Sequence, residues 1–155
     1  MFIQLETIDK VKTVNKPWGW EKWIQPGSDT FPFVLKQLKL LAGQRTSLQV
    51  HKKKSESIIV LEGNGLLFTV FGKFDCERYL NNEYTDEDIQ QFLNNLSSFP
   101  INPGSVIHTP PGSIHRMVAL TDLTYIEAST TELDDVIRLQ DDKNRQHGRI
   151  DSEHK

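Results

Sequence analysis

The sequence predicts an all-β protein: a barrel or sandwich of short antiparallel strands that carries one short helical insertion. Short apolar runs of strand length recur along the chain, and Gly-, Pro- and Asn-containing turns separate them. Two histidine-containing segments, 43–63 and 104–116, each combine an apolar strand pattern with glycine turns. Helical spacing of apolar residues is confined to one stretch within residues 72–102.

Composition limits the classes of function. A chain of 155 residues is long enough for one domain with a substantial core. Its formal net charge of -3 does not favour nucleic acid or a membrane surface as a partner. The single cysteine, Cys76, cannot form an internal disulfide, and the first residues lack the long apolar run of a secretory signal. We therefore expect a cytoplasmic protein.

The first half of the chain has strand patterns. Residues 1–15 are mixed and are expected to form an edge strand or an arm. Residues 31–41 predict a strand in which Lys36, Leu38 and Leu40 share one face. Residues 57–70 predict two apolar strands around the turn sequence EGNG at 62–65, which is of hairpin type.

The insertion and the C-terminal segment differ from the rest. Thr85 with Asp88 three residues later predicts a helix N-terminus. The apolar residues that follow have helical spacing: Ile89, Phe92, Leu93 and Leu96. We expect this helix to cover the barrel rather than act as a catalytic lid. Residues 141–155 are polar, and the last several of them are expected to be mobile, with His147 and His154 in solvent.

Four side chains form a candidate metal site. Gln49 and His51 are two residues apart and so share a strand face, and Glu56 follows after a Lys-rich turn. A hairpin here would bring an amide oxygen, an imidazole nitrogen and a carboxylate together, with His115 as a fourth ligand. Such a set suits zinc, manganese, iron or nickel and leaves positions open for substrate.

These segments resemble the cupins, the double-stranded β-helix (jelly-roll) barrels. The first cupin motif is G(X)5HXH(X)3–4E(X)6G, and Gln49, His51, Glu56 and Gly63 follow its spacing with Gln in place of the first His. The second motif is G(X)5PXG(X)2H(X)3N. The segment from Gly104 to His115 reproduces it except for the final Asn, where the chain has Ala119.

With Gln in place of the first His, the chain resembles the type II phosphomannose isomerases. These are cupin domains often fused behind a mannose-1-phosphate guanylyltransferase. Their motif PGxRLSLQxHxxRxEHW resembles AGQRTSLQVHKKKSES at 42–57. KPWGW at 16–20 is similar to their RPWG, and DVIR at 135–138 with Asp141 and Arg145 is similar to their DIVRxxDxxGR. The chain departs from that family at Ser57, Lys54 and the longer connection between Phe71 and Pro103.

The resemblance implies a metal-dependent isomerase that interconverts mannose 6-phosphate and fructose 6-phosphate. It implies one divalent ion, with zinc favoured over manganese, nickel or iron, and a homodimer acting on a sugar phosphate. Glu127 or Lys54 would transfer the proton and Arg138 would stabilise the enediolate, whereas Lys36 and Arg45 would bind substrate.

Two other classes stay open. One is another metal-dependent cupin enzyme, such as an oxygenase or a sugar epimerase, and the other is a non-catalytic sugar-binding cupin. On any of these hypotheses we expect one cupin domain over 1–155, with a core at about 16–140, the insertion at about 72–102 and the polar tail at 141–155.

Overall fold

The computed structural model describes residues 2–154, which form a two-sheet antiparallel barrel with a helical insertion, as predicted. The elements in chain order are β1 (Lys12–Lys16), β2 (Gly19–Gln25), β3 (Val34–Leu40), β4 (Leu48–Val50), β5 (Glu56–Glu62), β6 (Gly65–Thr69), α1 (Cys76–Leu80), α2 (Asp86–Asn94), β7 (Ser97–Ile101), β8 (Val106–Thr109), β9 (His115–Ala119), β10 (Leu123–Ser129), β11 (Ile137–Gln140) and a short 3-10 helix (Asp151–His154).

The strands form one sheet of six and one of five. The first has the order β1-β2-β3-β10-β5-β8 and the second the order β11-β4-β9-β6-β7, with antiparallel pairing throughout. On β3 the buried residues alternate, so Lys36, Leu38 and Leu40 share the inner face as predicted. Between the sheets lies an apolar core that includes Leu38, Leu40, Ile58, Val60, Met117, Leu123 and Tyr125.

Two predicted hairpins are wrong. The strands β4 and β5 lie in different sheets, and so do β5 and β6, so both connections cross the barrel. Each strand pairs with strands later in the chain: β5 with β10 and β8, and β6 with β7 and β9. The turn at 62–65 instead packs on the β9–β10 loop, where a Cβ on Gly63 would lie 1.9 Å from the carbonyl oxygen of Asp122. Turn residues indicate a change of direction but not the sheet to which the next strand belongs.

The insertion covers the outer face of the second sheet. The predicted helix is present as α2, with a capping box between Thr85 and Asp88, and a further short helix, α1, precedes it. Residues of both helices pack against a second apolar cluster: Leu48, Val50, Val70, Phe74, Cys76, Ile114 and Ile137. The described part of the insertion contributes no residue to the cavity inside the barrel, as expected for a structural cover.

The C-terminal segment makes contacts that its polar sequence does not indicate. The C-terminal segment folds over one mouth of the barrel, where Glu153 pairs with Lys16 and the His154 ring lies 5.4 Å from Trp23. These contacts leave His154 partly buried rather than solvated, whereas His147 is exposed as expected. At the other terminus β1 is an edge strand, as predicted, while residues 2–11 form no strand.

No helix among residues 2–154 is long and apolar enough to cross a membrane.

Candidate metal centre

Three strands bring the predicted ligands to one point inside the barrel. Gln49 of β4 lies directly opposite His115 of β9 in the antiparallel register. His51 follows the end of β4, and Glu56 begins β5 in the facing sheet. The crossing between sheets therefore places Glu56 across the barrel from Gln49, which a flat hairpin would not do.

The two imidazoles and the carboxylate lie within bonding reach of a common point. The Nε2 of His115 is 3.2 Å from Oε1 of Glu56, and the Nε2 of His51 is 3.8 Å from Oε2. One ligand atom of each residue lies within 4.8 Å of the others, and all three side chains are buried. His51, Glu56 and His115 could therefore hold a metal ion.

Backbone carbonyls fix the direction of both rings. The Nδ1 of His51 donates to the carbonyl of Asp135 at 2.5 Å, and the Nδ1 of His115 donates to that of Ser113 at 2.9 Å. The Nε2 of each ring then points to the interior, which is how ligating histidines are held in metalloproteins. The Nε2 of His51 is buried without a hydrogen-bond partner among residues 2–154. An unpaired buried acceptor is costly, and a divalent cation between these atoms would satisfy it.

The electrostatics favour the protonation states that a metal needs. Burial, with a smaller effect of His115 and Lys54, lowers the pKa of His51 to about 4, so its ring is neutral at pH 7. Burial opposes ionisation of Glu56, but Lys54 and the two imidazoles hold its pKa well below the usual value. Burial would also lower the pKa of His115, yet its hydrogen bond to Glu56 and the charge of that carboxylate raise it. A bound cation would replace the proton on His115, because metal ligands bind in their deprotonated form.

Gln49 adjoins the ligand cluster formed by His51, Glu56 and His115. Its amide nitrogen lies 3.4 Å from Nε2 of His115. Its oxygen accepts a hydrogen bond of 2.7 Å from Oγ of Ser47. Ligation by oxygen requires a half-turn of the amide, after which Ser47 can accept from the nitrogen. The residues present therefore fit a divalent ion with Gln49 as a fourth ligand.

A buried ion-pair chain leads from the cluster to the predicted acid–base residues. The Nζ of Lys54 lies 2.8 Å from Glu56 and 3.3 Å from Glu127. Burial raises the pKa of Glu127 to about 7, although Lys54 pulls it down. The pKa of Lys54 is raised despite its burial, because two carboxylates surround the ammonium group. Glu127 can thus exchange a proton near neutral pH, whereas Lys54 keeps its own.

A cavity of about 110 Å³ adjoins these groups. Lys36 lines it, with its Nζ 3.2 Å from Glu21 and 4.6 Å from the centre of the Trp23 ring. The remaining lining is mostly polar and includes Lys16, Gln49, His51, Lys54, Glu127, Asp134, Arg138, Arg145, Arg149 and His154.

The two predicted arginines lie in different environments. Arg138 lines the cavity, and its Nη1 donates to the carbonyls of Gly148, at 2.9 Å, and Gln146. Arg45 lies outside the lining, half-exposed, where its guanidinium pairs with Asp142. The structure therefore brings every predicted site residue except Arg45 to the cavity or the ligand cluster.

Residues that orient the His51 ring or close the cavity mouth were not predicted from the sequence. Asp135 holds His51 through its carbonyl, while its carboxylate accepts the amides of Lys52, Lys53 and Lys54. Lys16, Glu21 and Glu153 line or close the cavity mouth. Lys16 opens the KPWGW segment, whereas no local pattern distinguishes Glu21 and Glu153 from surface charges. Asp135 could have been found from its place in the DVIR segment.

Ser57, at which the chain differs from the motif of the resembled family, lies outside the candidate metal site. This residue alternates to the outer face beside Glu56, and its Oγ is 2.8 Å from Nδ1 of the exposed His108. Lys54, in place of the arginine of the resembled motif, still supplies a cation to Glu56. Neither departure removes a group from the ligand cluster.

Several solved structures share this fold at low sequence identity. Ectoine synthase from P. lautus is 12% identical with a TM-score of 0.63, and the match covers 96% of this chain and 93% of that one. Oxalate decarboxylase from Bacillus subtilis is 13% identical with a TM-score of 0.63, over 86% of this chain and 31% of that one. The capsular polysaccharide assembling protein CapF from Staphylococcus aureus is 16% identical with a TM-score of 0.57, over 84% and 34%.

The shared fold is the cupin barrel, as the sequence motifs predicted. The chain spans about a third of the length of CapF and of the oxalate decarboxylases but nearly all of ectoine synthase. No family model and no curated protein sequence matches the chain.

Proposed function

We propose that this cupin-fold protein is a metal-dependent isomerase that interconverts mannose 6-phosphate and fructose 6-phosphate. The observation that carries the proposal is the pairing of two sites: a His51–Glu56–His115 cluster with an unpartnered buried nitrogen, and Glu127 beside it through Lys54. An aldose–ketose isomerase needs an electrophile and a proton carrier close together. The sequence resemblance supports the choice of substrate.

A divalent ion would supply Lewis-acid polarisation of the substrate carbonyl. Zinc is the favoured metal, and its ligands would be Gln49, His51, Glu56 and His115. Glu127 takes the proton from C2 of the aldose and returns it to C1, because its pKa of about 7 suits both steps. The hydroxyl proton moves from O2 to O1 within the enediol between these steps. The Lys54 ammonium and the Arg138 guanidinium offset the negative charge of the enediolate. Lys36 binds substrate hydroxyl groups at the cavity wall.

The test is a coupled assay of mannose 6-phosphate conversion to fructose 6-phosphate. Purified protein is stripped with chelator and then supplied with zinc, manganese, nickel or iron in turn, beside a His51→Ala variant. We expect turnover that depends on metal and is lost in the variant. Absence of turnover with every metal, in protein that binds metal, would contradict the isomerase.

A second candidate is a non-catalytic cupin that binds a sugar phosphate. The mostly polar and charged lining of the cavity supports it as well, because these side chains suit a sugar phosphate whether or not turnover follows. Ligand binding without turnover under any metal would support this candidate. Another metal-dependent cupin enzyme would bind metal at the same four residues but turn over neither hexose phosphate.

A further inference from the structure

Three charged side chains meet at the end of the cavity that the C-terminal segment covers. The Oε2 of Glu153 lies 2.7 Å from Nζ of Lys16, and its Oε1 lies 3.4 Å from Nη1 of Arg145. The three side chains are only 11%, 9% and 8% exposed, for Lys16, Glu153 and Arg145 respectively. The carboxylate thus sits between two largely buried cations, one from β1 and one from the tail.

We propose that Lys16 and Arg145 form a subsite for a phosphate monoester, and that Glu153 occupies this subsite as an internal anion when no ligand is bound. The sugar part of the ligand rests on the proposed function, whereas the anion subsite does not. The phosphate would replace the carboxylate between the same two cations, and the segment 149–154 would move out of the mouth as it enters.

Arg145 is held in place independently of Glu153. Its Nε and Nη2 pair with Asp141 at 2.9 and 3.0 Å, and its backbone amide donates to the same carboxylate at 2.7 Å. Nη1 alone points to Glu153. When Glu153 leaves, the guanidinium keeps its orientation and offers a free donor, as a preformed phosphate site requires.

The size of the cavity links ligand entry to displacement of the tail. A volume of about 110 Å³ is well below the roughly 300 Å³ at which ligand pockets begin. Gly148, Arg149, Ile150 and His154 form part of its wall, so movement of this segment would enlarge it. Beyond Arg145, the ion pair of Glu153 with Lys16 and the edge contact of His154 with Trp23 join the segment to the barrel mouth. An anion that takes the place of Glu153 removes the first of these two contacts.

The test is calorimetric titration of the metal-free chain 1–155 with inorganic phosphate, mannose 6-phosphate and mannose. Glu153→Gln should bind both phosphates about tenfold more tightly than wild type, if the open form is about one-tenth populated in wild type. Asp151→Asn is the matched control, because it removes the same charge from the same turn at a side chain that is 94% exposed. Mannose should show no gain, and a gain for mannose 6-phosphate beyond that for phosphate would assign the sugar to the adjoining cavity.

A double variant, Lys16→Gln with Glu153→Gln, shows where the phosphate binds. The gain should disappear, because the subsite has lost one of its cations. Equal phosphate affinity in wild type and Glu153→Gln would overturn the proposal, as would a gain that survives the loss of Lys16. Thermal unfolding of each variant confirms that it is folded. Because binding is measured without turnover, failure of the isomerase assay leaves this result unaffected.

Discussion

Glu127 and Lys54 are neighbours with opposite titration behaviour. Burial dominates for the carboxyl group and raises its pKa to about 7, whereas two adjacent carboxylates dominate for the ammonium group and raise its pKa. The sequence resemblance left both residues open as the proton carrier. The contacts favour Glu127, because a lysine that stays protonated can stabilise negative charge but cannot accept a proton.

Glu127→Gln should lower kcat by about a hundredfold or more while the bound metal is retained, since general acid–base groups contribute about 10²–10⁴ in rate. In wild type, kcat should fall as the pH drops below about 7, because the protonated carboxyl group of Glu127 can no longer act as a base. Rate–pH profiles and metal content check both statements. Glu62→Gln, an exposed acid on the same strand as Glu56, is the control and should leave both quantities unchanged. A variant at Glu127 with wild-type kcat would exclude the residue as the base.

At this scale the sequence indicated which side chains meet in the barrel, because the spacing of several of them is local. Gln49, His51 and Glu56 lie within eight positions, and the strand period places the first two on one face. The ion pair of Lys16 with Glu153 could not be predicted, because 137 residues separate its members. Lys16 belongs to the KPWGW segment, but nothing near Glu153 in the sequence distinguishes that residue from a surface charge.

At the scale of elements, the connection before β11 supports the ligand-bearing turn between β4 and β5. The Asp135 carboxylate accepts the amides of Lys52, Lys53 and Lys54 at 3.0, 2.6 and 2.9 Å, and its carbonyl accepts from His51. Although its partial burial has the opposite effect, these backbone hydrogen bonds lower the pKa of Asp135. One residue thus shapes the turn and orients the imidazole.

Asp135→Ala should lower the free energy of unfolding by about 1–3 kcal/mol, because three amides lose their acceptor. It should also weaken metal binding, because the carbonyl that orients His51 stays in the variant but the carboxylate no longer holds that stretch of backbone against the turn. Since the folded pKa lies below the unfolded value, the wild-type stabilisation is present above about pH 4 and is lost as pH falls through the folded pKa.

Urea unfolding and metal titration measure the two effects of Asp135→Ala. Asp29→Ala, an exposed acid in the loop before β3, serves as the control. If Asp135→Ala matched this control in both measurements, the support of the turn by Asp135 would be excluded.

Individual strands and the helix α2 were predicted more accurately than the pairing of strands within the sheets. The alternation on β3 and the capping box of α2 are local signals, and both are present in the structure. The assignment of β4, β5 and β6 to alternate sheets depends on which later strand each one pairs with. Local turn chemistry contains no information on that choice.

At the scale of the whole molecule, the barrel isolates the ligand cluster from water. One mouth is covered by the C-terminal segment, and the insertion covers the outer face of the second sheet. Among residues 2–154 the buried Nε2 of His51 has no hydrogen-bond partner, and a cation would supply one. Metal binding should accordingly be coupled to the stability of the whole fold.

Zinc should raise the free energy of unfolding by about 2.7 kcal/mol at a free concentration one hundred times its Kd, because it binds the folded state selectively. Thermal unfolding with and without zinc measures this shift. The shift should be absent in His51→Ala and retained in His108→Ala, which removes an exposed histidine outside the cluster. An equal shift in both variants would place the stabilising metal elsewhere.

The metal centre is the claim on which the proposed chemistry depends, and anomalous diffraction from zinc-loaded crystals tests it most directly. We expect one strong anomalous peak per chain between Nε2 of His51, Nε2 of His115 and the carboxylate of Glu56, with the Gln49 amide oxygen turned towards it. A peak only at other residues, such as His147 or His154, or no peak in zinc-loaded protein, would contradict the account.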